Sequence, residues 1–393
     1  MTDLRPDTRV VHLPKVQPEG STPISTPIYQ TSGFVFDDPA VFADGMGRPD
    51  AAFVYGRYSN PTTRVLEEAV ADLEGGVAAI AASTGMGAIN TIFLALLSPG
   101  DHVIAQHSLY GGTGHMLEEL EARFKIDVTY VPEDDPDAVR AAVRPETKFL
   151  YLETIANPMT QVADLPGMCA VAREAGIPVI VDNTFASPIL CRPIEHGASI
   201  VVHSSTKYLA GHADIVGGIS VFADQELYLK VWKFHAGLGA APDPFASWLT
   251  LRGIQTLPLR MARHTENIRI LAARFAEHPA VEAVHWPGLP THKSHALATK
   301  LLPEFGGVFS FDLVGGREAG ERFMSSLKVA LLAPSLGGVE TLVMQPSTTS
   351  HRSVSDAALE AAGIRPGTVR IAVGIENVED LWDDFAQALN PSD

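Results

Sequence analysis

Short apolar runs separated by longer stretches of helical spacing dominate the first two thirds of the chain: Ala78–Ala82, His102–Ala105, Val128–Val131, Phe149–Leu152, Val179–Val181 and Ile200–Val202. Runs of this length, bounded by turn residues, predict strands covered on both faces, the habit of a parallel sheet. Ahead of them Thr62–Leu73 carries Leu and Val at helical spacing and stops at Glu74-Gly75-Gly76, and between several of them Ala88–Leu97, Met116–Phe124 and Gly167–Ala175 predict further helices. Such alternation means a doubly wound α/β domain with a mostly parallel sheet. Residues 1–56 are rich in Pro and Gly and poor in periodicity, which predicts an extended arm reaching over a neighbouring subunit. Beyond Leu251-Arg252-Gly253 come a long helical run, His264–His278, the turn-rich Trp286–Pro290, strand-like Gly307–Leu313 and Val369–Val373, and helix-like Gly316–Ser325 and Val378–Leu389. These predict a smaller α+β domain. The expected plan is an arm at 1–56, an α/β domain at 57–253 and an α+β domain at 254–393, with no internal repeat.

Composition narrows the class of partner. With 29 basic and 46 acidic residues the formal net charge is −17, which argues against nucleic acid and anionic membranes. A pocket can still attract an anion through its own arginines and backbone amides. Cys169 and Cys191 are too few for a disulfide framework and too far apart for a zinc knuckle, so a reducing cytoplasm is expected. Met1–Pro6 has no apolar signal core, and the longest apolar stretch, Val77–Leu97, is broken by Ser83, Thr84, Gly85, Gly87 and Asn90.

Three strand ends carry chemistry. His203-Ser204-Ser205-Thr206-Lys207 puts a lysine behind three hydroxyl residues, just after the apolar run ending at Val202. A Schiff-base lysine needs its amine at a pocket wall, and neighbouring hydroxyls can donate to phosphate oxygens. A surface lysine in a polar turn would look the same. Asp182 follows Ile177–Val181, at the carboxyl end where open α/β sheets bind ligands; a carboxylate there can keep a pyridine nitrogen protonated, although an N-cap is the commoner use of Asp after a strand. Ser83-Thr84-Gly85-Met86-Gly87 turns a strand into a helix, and glycine plus a helix start offers N–H groups to a phosphate. Together the three describe one pyridoxal phosphate site.

Blocks along the whole chain carry a resemblance: Ser25–Gln30, Tyr55-Gly56-Arg57-Tyr58-Ser59-Asn60-Pro61-Thr62, Leu109-Tyr110-Gly111-Gly112-Thr113, Glu153–Pro158, Ser335–Leu342 and Arg370–Gly374. In this order and spacing the chain resembles the Cys/Met-metabolism family of pyridoxal phosphate enzymes, which includes cystathionine γ-synthase, the cystathionine lyases, methionine γ-lyase and O-acylhomoserine sulfhydrylases. The resemblance implies the aspartate-aminotransferase-like type I fold. It makes Lys207 the lysine that carries the cofactor and moves protons, and Asp182 the partner of the pyridinium nitrogen. It gives Gly85, Met86, Ser204 and Thr206 the phosphate from one subunit and Tyr55 and Arg57 the same phosphate from the partner subunit. Tyr110 stacks on the ring and acts near the leaving group, and Asn157 touches the ring's phenolic oxygen. Arg370, assisted by Ser335, clamps the substrate carboxylate; read without the resemblance, Arg370 is a strand-edge surface arginine. The implied assembly is a dimer with shared sites, as half of a homotetramer.

Within that family, methionine γ-lyases usually carry Cys where Gly112 stands and a Lys-Asp pair near His235 and Ala236. Cystathionine γ-lyases and γ-synthases usually carry Glu where Pro334 stands, and the lyases place Arg near His115. This chain has neither signature. The expected reaction is γ-elimination on sulfur amino acids, releasing a thiol, 2-oxobutanoate and ammonia; γ-replacement on an activated homoserine, or cystathionine γ-lyase activity, is the alternative. A non-catalytic relative would have lost Lys207, Asp182, Tyr110 or Arg370, and all four are present. His292-Lys293-Ser294-His295 has no Cys or acidic neighbour to make it a metal site, and Gly111–Gly114 lacks the residues of a nucleotide loop. No metal is expected.

Overall fold

The structure is a computed structural model and describes residues 4–12, 20, 22–49, 51–350, 359 and 362–390. The parts of the expected arm and C-terminal domain at 1–3, 13–19, 21, 50, 351–358, 360, 361 and 391–393 lie outside the described residues. Two sheets organise the chain. The larger has seven strands, β1 (Ala78–Ala82), β2 (His102–Gln106), β3 (Asp127–Val131), β4 (Thr147–Glu153), β5 (Val179–Asp182), β6 (Ile200–His203) and β7 (Gly218–Phe222), in the order β1-β7-β6-β5-β4-β2-β3. All pair in parallel except β7, which runs antiparallel to both β1 and β6. This strand was not anticipated. It follows Gly217 and opens on Gly218, where a side chain would collide with the Thr84 carbonyl at the start of the first crossover.

Helices cover both faces of this sheet: α1 (Pro6–Arg9) and α2 (Pro39–Gly45) in the arm, then α3 (Pro61–Glu74), α4 (Gly85–Leu96), α5 (Gly111–Phe124), α6 (Pro136–Ala142), α7 (Leu165–Glu174), α8 (Ser187–Leu190), α9 (Gln225–Leu238), α10 (Pro244–Ile254) and α11 (Leu257–Glu277). The two-residue alternation of each strand feeds two cores. Leu150, Leu152, Val179, Val181 and Val201 point to one, shared with α3 and α7, whereas Phe149, Tyr151, Ile180, Ile200 and Val202 point to the other, shared with α4 and α5. Each fully buried Val, Leu, Ile or Phe contributes about 1.5–3 kcal/mol, which is why the strand runs contain almost no polar residues.

Helix starts are earlier than the periodicity suggested. Helix α4 begins at Gly85, with Thr84 as N-cap accepting the Gly87 N–H at 2.7 Å, and α5 begins at Gly111 directly after Tyr110. Glycines carry no hydrophobic period, so the amphipathic signal begins only one turn later. Helices α9 and α10 were also missed.

The smaller sheet has the order β10-β11-β12-β9-β8, from β8 (Val281–His285), β9 (Val308–Leu313), β10 (Leu331–Leu332), β11 (Leu342–Met344) and β12 (Thr368–Ala372). With α13 (Gly316–Ser325) and α14 (Val378–Leu389) it surrounds an aromatic core in which the Phe275 ring lies 4.6 Å from Phe311, 5.2 Å from Phe309 and 5.3 Å from Phe385, while α12 (His295–Leu301) packs through Ala298 on the core of the large sheet. Helix α11 joins both cores, Leu257 and Met261 packing on the large sheet and Ile268, Leu271 and Phe275 on the small one.

The arm is not extended throughout. Besides α1 and α2, it is fastened to its own chain: Arg9 pairs with Asp72 of α3 at 2.6 Å, Trp248 of α10 donates to the Thr26 carbonyl at 3.0 Å, and Gly33 bridges Tyr55.

Candidate active site

The carboxyl ends of β1, β2, β4, β5 and β6 share one rim of the large sheet, and the residues that follow them wall a cavity of about 690 Å³. Lys207, Asp182, Gly85, Met86, Ser204, Thr206, Tyr110, Asn157, Ser335 and Arg370 all line it. Tyr55 and Arg57 do not. Arg57 donates to the Ala236 carbonyl, lies over the Tyr58 ring at 4.6 Å and borders a different surface hollow with Trp232, while Tyr55 is exposed.

Lys207 sits in the turn after β6 and donates from Nζ to Ser335 Oγ at 2.7 Å. Burial and, less strongly, the charge of Arg370 lower its pKa to about 8, so near neutral pH about a tenth of the amine is in the nucleophilic neutral form, far more than for an exposed lysine. Ser335 is held at φ +99°, a left-handed conformation that side chains rarely adopt, and its carbonyl accepts from Arg370 Nη2 at 2.6 Å. Strain of this kind persists where surrounding contacts over-determine it, as the lysine and arginine do here.

Arg370 is not at a strand edge. It lies on β12, between β11 and β9, and is buried. Its Nη1 donates to Asn157 Oδ1 at 3.0 Å, and its Nε has no partner among the described residues. Burial lowers its pKa to about 10, leaving a charged fork on the cavity wall with a donor to spare.

Helix α4 starts at the cavity wall. The first amides of a helix have no partner within it, so Gly85 and Met86 present N–H groups at the positive end of a twelve-residue dipole. A side chain at Gly85 would come within 3.0 Å of Ser204 Oγ, which places that hydroxyl directly against the helix start. Thr206 Oγ1 is engaged with Gly217, donating to its carbonyl at 3.2 Å and accepting its N–H at 3.0 Å. Also on the cavity wall, Asp182 Oδ1 accepts the Thr184 N–H at 2.9 Å, and burial raises its carboxyl above the usual range. A carboxylate so placed gains from a cationic partner. The glycine cradle, the softened lysine and the Asp182 carboxylate therefore suit pyridoxal phosphate.

The comparisons agree. The family model for Cys/Met metabolism PLP-dependent enzymes matches residues 7–390. The chain belongs to that family. It is a PLP-dependent enzyme of sulfur amino acid metabolism, similar to the cystathionine gamma-synthase of Mycobacterium leprae (41% identical over 383 residues, covering 98% of this chain and 96% of the relative). It is as similar to the L-methionine gamma-lyase of Porphyromonas gingivalis, at 41% over 372 residues, 93% of this chain and 92% of the relative. Among solved structures, the cystathionine gamma synthase of Xanthomonas oryzae in complex with cystathionine superposes with a TM-score of 0.93 at 37% identity, covering 98% of each chain. The type I fold expected from the resemblance is the fold observed.

Sequence reasoning missed the polar support around this PLP site. Thr184 Oγ1 accepts the Ser204 N–H at 2.9 Å, so one threonine ties both the Asp182 and the Lys207 turns together. Beneath them His203 Nε2 lies 2.6 Å from Glu74 Oε1, which also accepts from Asn183 at 2.9 Å. Only the Glu74 stop signal was visible in the sequence. The candidate metal pair is separated in purpose: His292 contacts the Met159 carbonyl and His295 the Pro287 carbonyl.

Proposed function

We propose that this enzyme catalyses γ-elimination on an amino acid with an uncharged sulfur side chain, such as methionine or homocysteine: with one water, methionine becomes methanethiol, 2-oxobutanoate and ammonia. The observation that carries the reading is the make-up of the cavity lining. Besides the residues placed above, it includes the apolar Ile89, Phe185, Val216, Pro334, Leu336 and Met344 and the uncharged Thr348, Thr349 and Ser350, with Arg370 and Lys207 as the cations among the described lining residues. A single carboxylate clamp in so apolar a lining suits a thioether better than a second zwitterionic group.

When bound, the cofactor supplies the electron sink that makes protons beside the substrate amine acidic. The chain's residues do the rest. Arg370 and the Ser335 corner hold the carboxylate, fixing which face of the substrate meets Lys207. Lys207 takes up a proton at Nζ and returns it at a neighbouring carbon, a role suited to an amine with a pKa of about 8. Tyr110, at the mouth of the cavity, delivers its hydroxyl proton to the departing sulfur. Asp182 stays anionic to hold the pyridine nitrogen protonated.

Tyr55 and Arg57, absent from this chain's own cavity, are proposed to complete the phosphate site of a partner subunit, with domains at 57–253 and 254–393 and a cytoplasmic location. Mixed dimers of Arg57→Ala and Lys207→Ala chains should then regain partial activity, each supplying what the other lacks. If such dimers form and stay inactive, the shared site is wrong.

The second reading, γ-replacement on an O-acylhomoserine, draws on the likeness to proteins named cystathionine gamma-synthase over 98% of the chain. Product analysis with methionine, homocysteine, cystathionine and O-acylhomoserines, with and without cysteine or sulfide, separates the two. Thiol and 2-oxobutanoate from methionine without an acceptor support elimination. Turnover confined to O-acylhomoserine plus thiol overturns it.

A further inference from the structure

Next to Asp182 stands a second carboxyl that the reaction scheme does not use. Strands β4 and β5 run parallel with Glu153 opposite Asp182, so the two side chains leave the same face at the same rim, one strand spacing of about 4.8 Å apart. Glu153 is only 4% exposed. Its Oε1 accepts the backbone N–H of Tyr110 at 2.6 Å, and its carboxyl also faces the backbone N–H of Asn157. Its own backbone N–H donates to Gln106 Oε1 at 2.8 Å, while Gln106 Nε2 donates to the Ser108 carbonyl at 2.6 Å, so the turn carrying Tyr110 is strapped to β4 on both sides. Tyr110 precedes the first turn of α5, and no side chain caps that helix. The amide of Tyr110 therefore depends on Glu153.

This arrangement is costly. Burial first, and the neighbouring Asp182 charge second, push the Glu153 carboxyl well above the ordinary range, because two carboxylates side by side in protein repel. A neutral acceptor such as Gln could accept the same N–H, so it is the reach and placement of the acceptor, not its charge, that the Tyr110 amide requires.

We propose that Glu153 is a positioning residue: one carboxyl, through the amides of Tyr110 and Asn157, sets the height of the tyrosine ring over the cofactor and the position of the asparagine at its edge. The inference rests on the reading that Tyr110 and Asn157 flank the cofactor, and adds that a single neighbouring carboxyl governs both. It differs from a plain structural strut, which would secure the fold without orienting anything.

The test uses the cofactor-loaded enzyme and its Glu153→Ala and Glu153→Gln variants, with visible circular dichroism of the cofactor band, kcat and KM for the best substrate, and thermal unfolding. Displacing Tyr110 should lower kcat in Glu153→Ala by about 100-fold, the scale of a small misplacement of reacting groups. KM should stay within about threefold, because Arg370 still holds the carboxylate, and the visible dichroism should weaken. Glu153→Gln, which keeps an acceptor for the Tyr110 amide, should restore the dichroism and most of kcat. Loss of thermal stability with unchanged dichroism and kcat would show a mere strut and overturn the proposal. So would a Gln variant as impaired as Ala, since charge and not position would then be at issue. If Glu153→Ala does not fold, Glu153→Asp, which shortens the link by one methylene, must weaken the dichroism in a folded protein, and a wild-type spectrum there counts against the proposal. A wild-type protein with no cofactor band would instead strike at the cofactor site itself.

Discussion

Two buried arginines in this protein face opposite situations. Arg260, at the junction of α10 and α11, and Arg370, on β12, are both 4% exposed, and burial lowers the pKa of each to about 10. Around Arg260 every nitrogen is spent: Nη1 on the Tyr208 carbonyl at 2.8 Å, Nη2 on the Gly253 carbonyl at 2.7 Å and Nε on Thr256 Oγ1 at 3.0 Å. A side chain at Gly211 would overlap its guanidinium, so nothing else can enter. Around Arg370 two nitrogens are used and the third is unpaired, beside a cavity. Both regions bear the desolvation of a cation. One recovers it fully within the fold, and the other leaves one donor without a partner among the described residues, which is the bonding capacity a substrate carboxylate is proposed to use.

The comparison breaks most visibly in activity. Arg370→Ala should reduce kcat/KM by about a hundred- to a thousandfold, the worth of a charge-assisted pair at roughly 3–4 kcal/mol, while the melting temperature changes little because the cavity admits water to Asn157 and Ser335. Equal loss of stability and activity would mean that Arg370 is a second Arg260. The next effect is the mirror image. Arg260→Ala should lower unfolding stability by about 3 kcal/mol in urea, since it leaves buried carbonyls without donors, with kcat of the folded fraction within about tenfold. A stable but inactive Arg260→Ala would place it in the machinery after all.

A smaller effect concerns Lys207, which Arg370 faces. In cofactor-free protein the Lys207 amine should be half-labelled by an amine-selective reagent near pH 8, whereas an exposed lysine needs a pH above about 10. The sign follows from burial, which disfavours the ammonium form, so protons leave at lower pH. Labelling that begins only above pH 10 would contradict the buried setting. The smallest effect sharpens this further: in Arg370→Ala the midpoint should rise, but only part of the way, because burial is the larger cause and the arginine the lesser one.

The strands and the core lysine site were readable because their physics is local. Val179–Val181 and Ile200–Val202 are covered on both faces, so they contain little but Val and Ile, and the polar residues that follow stand out at the rim. Lys207, Asp182 and the Gly85 turn could therefore be placed from the chain alone, and the resemblance added Tyr110, Asn157, Ser335 and Arg370. What the chain could not show was which partner each side chain would meet. Arg370 reads as a surface residue until β11 and β9 close around it, and Glu153 looks like the last residue of a strand until the parallel register sets it beside Asp182. Strand β7 is invisible as an antiparallel strand because pairing direction depends on neighbours over 130 residues away in the case of β1. Local pattern determines which segments are buried and where they end, since burial acts on each residue in turn. Hydrogen-bond partners, unpaired donors and shifted charges depend on distances between segments remote in sequence, and only the folded arrangement of the two sheets decides them.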